Sequence, residues 1–499
     1  MIVSRALFPV SSGFSAISQL HARLDKLQTQ LSTGKRFDSL SSLGNDRIYD
    51  LTVRARIGRI DAFKANVDTI NLRLDFFDNA ITRLDEIEAD SRAAVASGGI
   101  GADGLNKVTA QELAHARLDE VLTLLGSEIN GRYLFGGDKT DANPVVNVNT
   151  LLNGDATRDG LTTLIAQRKQ ADAGAGGLGR LTTTVNTDTA YLTEDGIHPF
   201  GFKLASVSTT GANITVNQPA GAPQELSVQI GGATSDGDQI SVTLNLPDGK
   251  QHTLTLTAVT GTPIGANEFQ IGGSANATAL NFQAALNTQL TTATNSVLAA
   301  QSVYAAAESM IPSHGNSATR VDGPPYDSAT AMIAADPADT VIWYTGSESA
   351  TSPRQTVRGR VDETTFVNYG VQANEEGLAA LVSSLAAMAV ETYPSSDPDA
   401  NARYNAMAQG QLTRLSESNN SKPGSIEVIA LELGVARSTV GNASERHKAY
   451  ANQLETLLAE IEQAPLEEVA AELLMLQTRL QASYQTTANI SQLTLVNYL

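Results

Sequence analysis

Of the sixteen prolines in this 499-residue chain, fourteen lie from Pro144 to Pro423, with only Pro9 before them and Pro465 after. Proline removes a backbone donor and clashes with the preceding turn, so its scarcity at both ends permits long uninterrupted helices there. The apolar spacing agrees. Ile17, Leu20, Leu24, Leu27 and Leu31 step by 3 and 4, which draws one stripe along a helix, and Gly34 followed by Lys35 and Arg36 is a stop signal. A second helical run starts near Asn45 and Asp46 and carries Ile60, Val67, Ile70, Leu74, Phe77, Ile81 and Leu84 as far as Ser97-Gly98-Gly99. A third, over 105–130, aligns Leu118, Leu122, Leu125 and Ile129.

The far end mirrors this pattern. From Ile426 the positions Ile429, Leu433, Ala436, Val440, Ala443, His447, Tyr450, Leu454, Leu457 and Ile461 alternate steps of 3 and 4, and only His447 is not apolar. Such a line reads as a coiled-coil seam with His447 as a polar register marker. Replacing Gly434, Gly441 and His447 by Ala, Ala and Leu is therefore expected to raise stability. Beyond Pro465 a last helix carries Val469, Leu473, Leu476, Leu480 and Tyr484.

The middle follows another period. Ile240, Val242, Leu244 and Leu246 alternate with polar residues, Pro247-Asp248-Gly249-Lys250 turns the chain, and Leu254, Leu256 and Ala258 alternate again, a hairpin pattern. Leu226, Val228 and Ile230 predict a third strand, a helical stretch follows over 276–308, and 341–369 is again strand-like. Residues 203–308 are expected to be removable without loss of the helical framework. The fold class expected is mainly α: long coiled-coil-like helices from both termini packed together, a small strand-containing core region, and an inserted α+β domain. The boundaries expected are 1–45 plus 464–499 for a terminal-helix domain, 46–150 plus 325–463 for a helical core, and 151–324 for the insertion.

Chemistry is sparse. The formal charge is 34 − 53 = −19, which disfavours nucleic acid and anionic membranes as partners because counterion release needs positive charge. Without cysteine there is no disulfide, thiolate ligand or thiol nucleophile. The six histidines form no pair at metal-ligand spacing. Gly99, Gly101 and Gly104 spell GxGxxG, but a helix precedes them where a dinucleotide site needs a strand. Residues 397–408 begin like a calcium loop, yet Ala402 and Ala408 stand where glycine and glutamate are required, so a helix start is expected. No catalytic, cofactor-binding or metal site is expected, and no enzyme. The N-terminal stretch lacks an apolar segment of secretory type, and no apolar run reaches membrane-spanning length.

One segment breaks the helical pattern. "INGRYLFGG" (129–137) ends the third run with Gly131, a Tyr133-Leu134-Phe135 cluster and Gly136-Gly137. These residues are read as a chain reversal, glycines permitting the turn and Tyr133 and Phe135 pinning it against helices.

Together with "LQTQLSTGKRF" (27–37), "WYTG" (343–346), "RVDETTFVNYGVQANEEGL" (360–378) and "ISQLTLVNYL" (490–499), this segment resembles the bacterial flagellin superfamily, and within it the hook-filament junction class. The stretch "SLSSLGNDR" departs from the proline- and aspartate-containing segment typical of that family. The resemblance implies a structural subunit without a cofactor, exported unfolded by the flagellar secretion apparatus without a cleaved signal and assembled outside the cell. Its implied partners are further copies of itself, flagellin, another hook-associated protein and a cytoplasmic export chaperone. The alternative it leaves is a filament-forming flagellin. Ile17, Leu20, Leu24, Leu27, Leu31, Leu493, Leu495, Val496 and Leu499 are expected at subunit interfaces.

Overall fold

The computed structural model describes residues 8–98, 105–262, 264–348 and 352–496. It is mainly α, with 53% of residues helical. The chain opens with α1 (Phe8–Thr33), a short 3-10 turn (Leu40–Leu43), α2 (Asp46–Gly98) and α3 (Leu105–Leu125). A hairpin of β1 (Glu128–Ile129) and β2 (Arg132–Tyr133) follows, then α4 (Val148–Asn153) and α5 (Leu161–Ala173). The central strands are β3 (Leu181–Asn186), β4 (Thr189–Glu194), β5 (Lys203–Thr209), β6 (Ile214–Ala220), β7 (Glu225–Ile230), β8 (Gln239–Asn245), β9 (Gln251–Val259) and β10 (Glu268–Gln270). Next come α6 (Ala275–Ala293), a π-turn (Thr294–Leu298) and α7 (Ala299–Met310). After the short strands β11 (Thr319–Val321), β12 (Met332–Ala334), β13 (Arg358–Arg360) and β14 (Phe366–Asn368), the chain closes with α8 (Glu376–Val390), α9 (Ala400–Arg414), α10 (Ile426–Glu462) and α11 (Leu466–Val496).

The chain divides into two compact units, and α2 and α10 contribute residues to both. The first holds residues up to Ile70, Arg360–Phe366 and Thr439 onward. In it α1 and α11 run antiparallel: His21 meets Tyr484, Arg23 meets Glu472, and Lys35 bridges Gln463. Leu27, Ala464, Val469 and Leu476 form their shared core, with Leu20, Leu24 and Leu473 half-buried beside it. The two ends of the sequence thus cover each other's apolar stripes, the cheapest place for each to leave water. A neighbouring cluster joins Val53 and Ile60 of α2 to Ala451 and Leu454 of α10.

The second unit, Asn71–Gly359 and Val367–Ser438, contains a helical body and the insertion. Its body is organised on α8, whose sequence EGLAALVSSLAAMAV is apolar on nearly every side and is buried from Leu378 to Ala389 at every residue but Ala380. A helix without a polar face needs neighbours all round, and α3, α5, α7 and α9 pack on it. The insertion carries two four-stranded sheets, ordered β10-β9-β8-β5 and β3-β4-β7-β6. All their pairs are antiparallel except β9 with β10. Inward residues of both sheets and of α6, including Leu192, Val228, Val242, Leu256, Phe269, Phe282 and Leu290, make one apolar core.

Three expectations change here. The Leu226, Val228, Ile230 strand is β7, which pairs with β4 and β6 rather than joining the β8-β9 hairpin, because those two earlier strands occupy both of its edges. "VIWYT" forms no strand; Tyr344 makes only an isolated bridge to Val145. And α7 belongs to the helical body, with fully buried Tyr304 donating to the Met407 carbonyl at 2.7 Å, so a removable insertion must end before it. The helix expected from 397–408 is present as α9, whereas Gly99, Gly101 and Gly104 lie outside the described residues.

Phe202 and Leu298 both approach Gly179, so the insertion enters and leaves the body at one place. Replacing 181–194 and 204–293 by short Gly/Ser linkers, which leaves Phe200 packed on the body, is expected to keep the helical body folded, since all the deleted strands and α6 share one core of their own. Far-UV circular dichroism checks this: loss of most of the helical signal would show that the insertion is needed to hold the body together.

Candidate assembly surface

The stripe proposed from sequence for subunit contact is graded along α1. Leu27 is buried against α11, Ile17, Leu20 and Leu24 are half-buried, and Leu31 is 43% exposed. Phe14 on the same helix and Leu474 and Met475 on α11 are exposed by more than half. At the far end, Leu499 and the side chains of Leu493, Leu495 and Val496 lie outside the described residues.

His447 sits in the line of buried α10 residues formed by Ala443, Ala451 and Leu454. Its Nε2 lies 2.7 Å from the Val361 carbonyl and its ring stacks on Phe63, centroids 5.6 Å apart and 9° from parallel. The histidine therefore fastens the 360–366 loop to α10, and leucine there would strand a carbonyl acceptor at a cost of about 1–3 kcal/mol. The sign expected for that replacement is reversed. Gly434 and Gly441 differ from it: a Cβ on either meets nothing within 4 Å, so alanine gains roughly 1 kcal/mol of helix propensity at each.

In the second unit the 129–137 segment is a tight reversal. Asn130 and Gly131, at φ 53° and 73°, form the two-residue turn of the β1-β2 hairpin, a left-handed pair suited to Asn-Gly. Tyr133 is half-buried, whereas Phe135 is fully buried and meets Phe77 of α2 edge-to-face at 5.4 Å. Gly136 and Gly137 then dock by backbone alone. Gly137 N–H donates to the Val371 carbonyl at 3.1 Å, Ala373 N–H to Phe135 at 2.9 Å, and Ser347 N–H to Gly136 at 2.9 Å. A Cβ on Gly136 would lie 2.1 Å from the Lys139 carbonyl oxygen, and one on Gly137 2.8 Å from Ser347 Cβ.

Sequence reading missed what stands behind this clamp. Arg354 reaches the Gly370 carbonyl, Glu375 and, at 2.9 Å, Glu432, while Glu375 accepts from Gln372 N–H at 2.9 Å. Burial pushes the Glu375 carboxyl up against the pull of Arg354. The signal available was the "YGVQANEE" motif itself, which holds Gly370, Gln372 and Glu375. A second arginine, Arg403 of α9, lies 2.7 Å from Glu391 and 2.6 Å from Asp397 and donates to the Asn295 carbonyl of the π-turn at 2.9 Å. Nothing in its sequence neighbourhood marks it.

Among the described residues no cluster of three or more His, Cys, Asp or Glu is placed to hold a metal ion, and no helix is long and apolar enough to cross a membrane. No protein-family model matches the chain, and no curated protein matches it. Among solved structures, flagellar hook-associated protein 3 of Legionella pneumophila aligns over 82% of this chain and 98% of its own, at 12% identity and a TM-score of 0.29. A likeness that remote carries no functional argument.

Two outcomes follow from these contacts. Gly131→Ala, in open space, is expected to cost about 1–2 kcal/mol for its left-handed backbone, whereas Gly137→Ala adds a clash with Ser347 and costs more. Urea unfolding of both variants checks the order, and equal losses would refute a close-packed clamp. The second concerns Glu88 of α2, whose carboxyl is pushed from 4.5 to about 7 by burial and by the charge of Glu427. The folded state thus keeps a proton that the unfolded state has released, so this group's contribution is present below pH 4.5 and is lost as pH rises to about 7. Thermal melts of the wild type and Glu88→Gln are expected to show that loss over this window only in the wild type.

Proposed function

We propose that this chain is a structural, non-enzymatic subunit of the bacterial flagellum, an adaptor between hook and filament. One observation supports the reading above the others. Two of the segments that carry the sequence resemblance, "GRYLFGG" and "YGVQANEE", are more than two hundred residues apart yet hydrogen-bond to each other through Gly137 and Val371 and through Phe135 and Ala373. Motifs that meet in space constrain one another, which is what a shared core architecture requires and chance similarity does not. Phe14, Leu31, Leu474 and Met475, exposed on the antiparallel α1-α11 pair, offer apolar surface to further copies.

On this reading the protein assembles outside the cell after export as an unfolded chain held by a cytoplasmic chaperone. It contacts flagellin on one side and another hook-associated protein on the other. Leu24→Asp, at a half-buried position of the α1-α11 core, is expected to abolish filament attachment while the second unit stays folded. Swimming assays with electron microscopy of sheared flagella test this, and attached filaments in the mutant would refute it. Immunogold labelling in the same preparation separates an adaptor from a filament flagellin: labelling confined to a ring at the hook end favours the adaptor, labelling along the filament the flagellin.

A further inference from the structure

The segment 195–202 joins β4 to β5 and so crosses from one sheet of the insertion to the other, lying on the helical body as it does so. Phe200 is fully buried beside Ala171 of α5, Val321 and Ala329, Gly201 N–H donates to the Asp172 carboxylate at 2.9 Å, and Phe202 N–H to the Gly179 carbonyl at 2.9 Å. The first tie in this series is made by a titratable group. Phe200 N–H donates to His198 Nδ1 at 3.2 Å, while Nε2 of the same ring lies 2.7 Å from Asp195 and 3.0 Å from the guanidinium of Arg180. The His198 side chain is 1% exposed, so water does not compete for these contacts.

The partners assign the proton. Nδ1 faces a donor and must be bare, so the single hydrogen of a neutral imidazole sits on Nε2 and is given to Asp195. Arg180 needs nothing from the ring, since it donates to the Ala171 and Asp327 carbonyls and pairs with Asp195. A second proton has only Nδ1 to go to, where it would point at the Phe200 N–H and break that bond. The neighbouring charges are divided: Arg180 and Lys203 oppose a positive ring, and Asp195 favours it. Glu194 is engaged by Lys203 and Leu204 N–H, and Asp172 by Arg168, Ser302 and Gly201 N–H. Burial is the largest influence, and with Lys203 and Arg180 it outweighs Asp195 and holds the ring below its usual 6.5.

We propose that His198 is a proton-operated latch: the neutral ring holds residues 198–202 on the body through Phe200 N–H, and protonation at Nδ1 releases that segment and loosens the insertion at its root. Once released, the ring regains its ordinary basicity. The closed state is therefore favoured in full above pH 6.5 and loses that advantage as the pH falls from there to the lowered value of the buried ring. The inference is independent of the flagellar reading.

Hydrogen–deuterium exchange of the full-length protein, corrected for the intrinsic pH dependence of exchange, reads the latch at the Phe200, Gly201 and Phe202 amides. Between about pH 7.5 and about pH 4.5 their protection is expected to fall by about tenfold for every pH unit by which the ring is held down. Amides of α8 are expected to keep theirs, which separates local release from unfolding. His198→Asn sets an amide oxygen near the Nδ1 position and does not titrate, so protection is expected at both pH values. His198→Gln carries its amide one carbon further, near Nε2, and leaves Phe200 N–H without an acceptor, so low protection is expected at both. Should the asparagine variant misfold by circular dichroism, the glutamine variant decides. Unchanged protection in the wild type, a fall of wild-type size in either variant, or full protection in His198→Gln overturns the proposal.

Discussion

The close backbone approach at Gly136 and Gly137 is the contact on which the second unit's layout depends. Hydrogen bonds from this pair and its neighbours tie residues 135–137 to Ser347, Val371 and Ala373, leaving no room for a Cβ on either glycine. The consequence reaches α8. Glu375, the residue before that helix, is held by Arg354 and by Gln372 N–H, so the clamp also fixes where the most thoroughly buried helix begins. An all-apolar helix has no polar face to orient it, and its direction must be set by what holds its ends.

Arginine hubs perform the same service elsewhere in that unit. Arg180 takes up a left-handed conformation at φ 69° where the insertion leaves the body, a strain of about 1–2 kcal/mol, and its side chain donates to the Asp327 carbonyl at 2.8 Å and pairs with Asp195 at 2.6 Å. Arg403 joins the π-turn to the segment after α8 by donating to the Asn295 carbonyl and pairing with Glu391 and Asp397. Guanidinium suits this work because five fixed donors satisfy several carbonyls and carboxylates at once, and a buried charge is tolerated only when so matched.

The first unit is arranged on a different principle. Its cores are narrow lines of residues from pairs of helices, with Leu27, Val469 and Leu476 in one and Val53, Ile60 and Leu454 in another. Two helices bury only the stripe between them, and apolar residues on the outer faces, Phe14 and Met475 among them, stay in water. Under the proposed flagellar role this is the expected condition of a subunit outside its assembly, its remaining apolar surface covered by neighbouring copies.

The long terminal helices, the buried line from Ile429 to His447 and the β8-β9 hairpin were legible in the sequence because each follows from a local period: 3.6 residues for a helix, 2 for a strand, and a glycine or proline where the period stops; beyond His447 the buried line passes through Ala451 and not through Tyr450, which is exposed. At 129–131 only the reversal was legible, from Gly131; Ile129 fits the helical period yet lies in β1, because α3 stops at Leu125. What the sequence left open depends on partners far along the chain. Whether Val228 joins one sheet or another, whether α7 belongs to the insertion or the body, and whether His447 is a tolerated polar residue or a hydrogen-bonded fastener are decided by which segments meet. The neighbours of His447 are Phe63 and Val361, and those of Arg403 include Asn295, none of them within reach of a sequence window. Periodicity fixes which face of an element is apolar, whereas the identity of the opposing face comes only from the tertiary structure, because burial rewards any apolar partner and only the specific pairing of polar groups selects one.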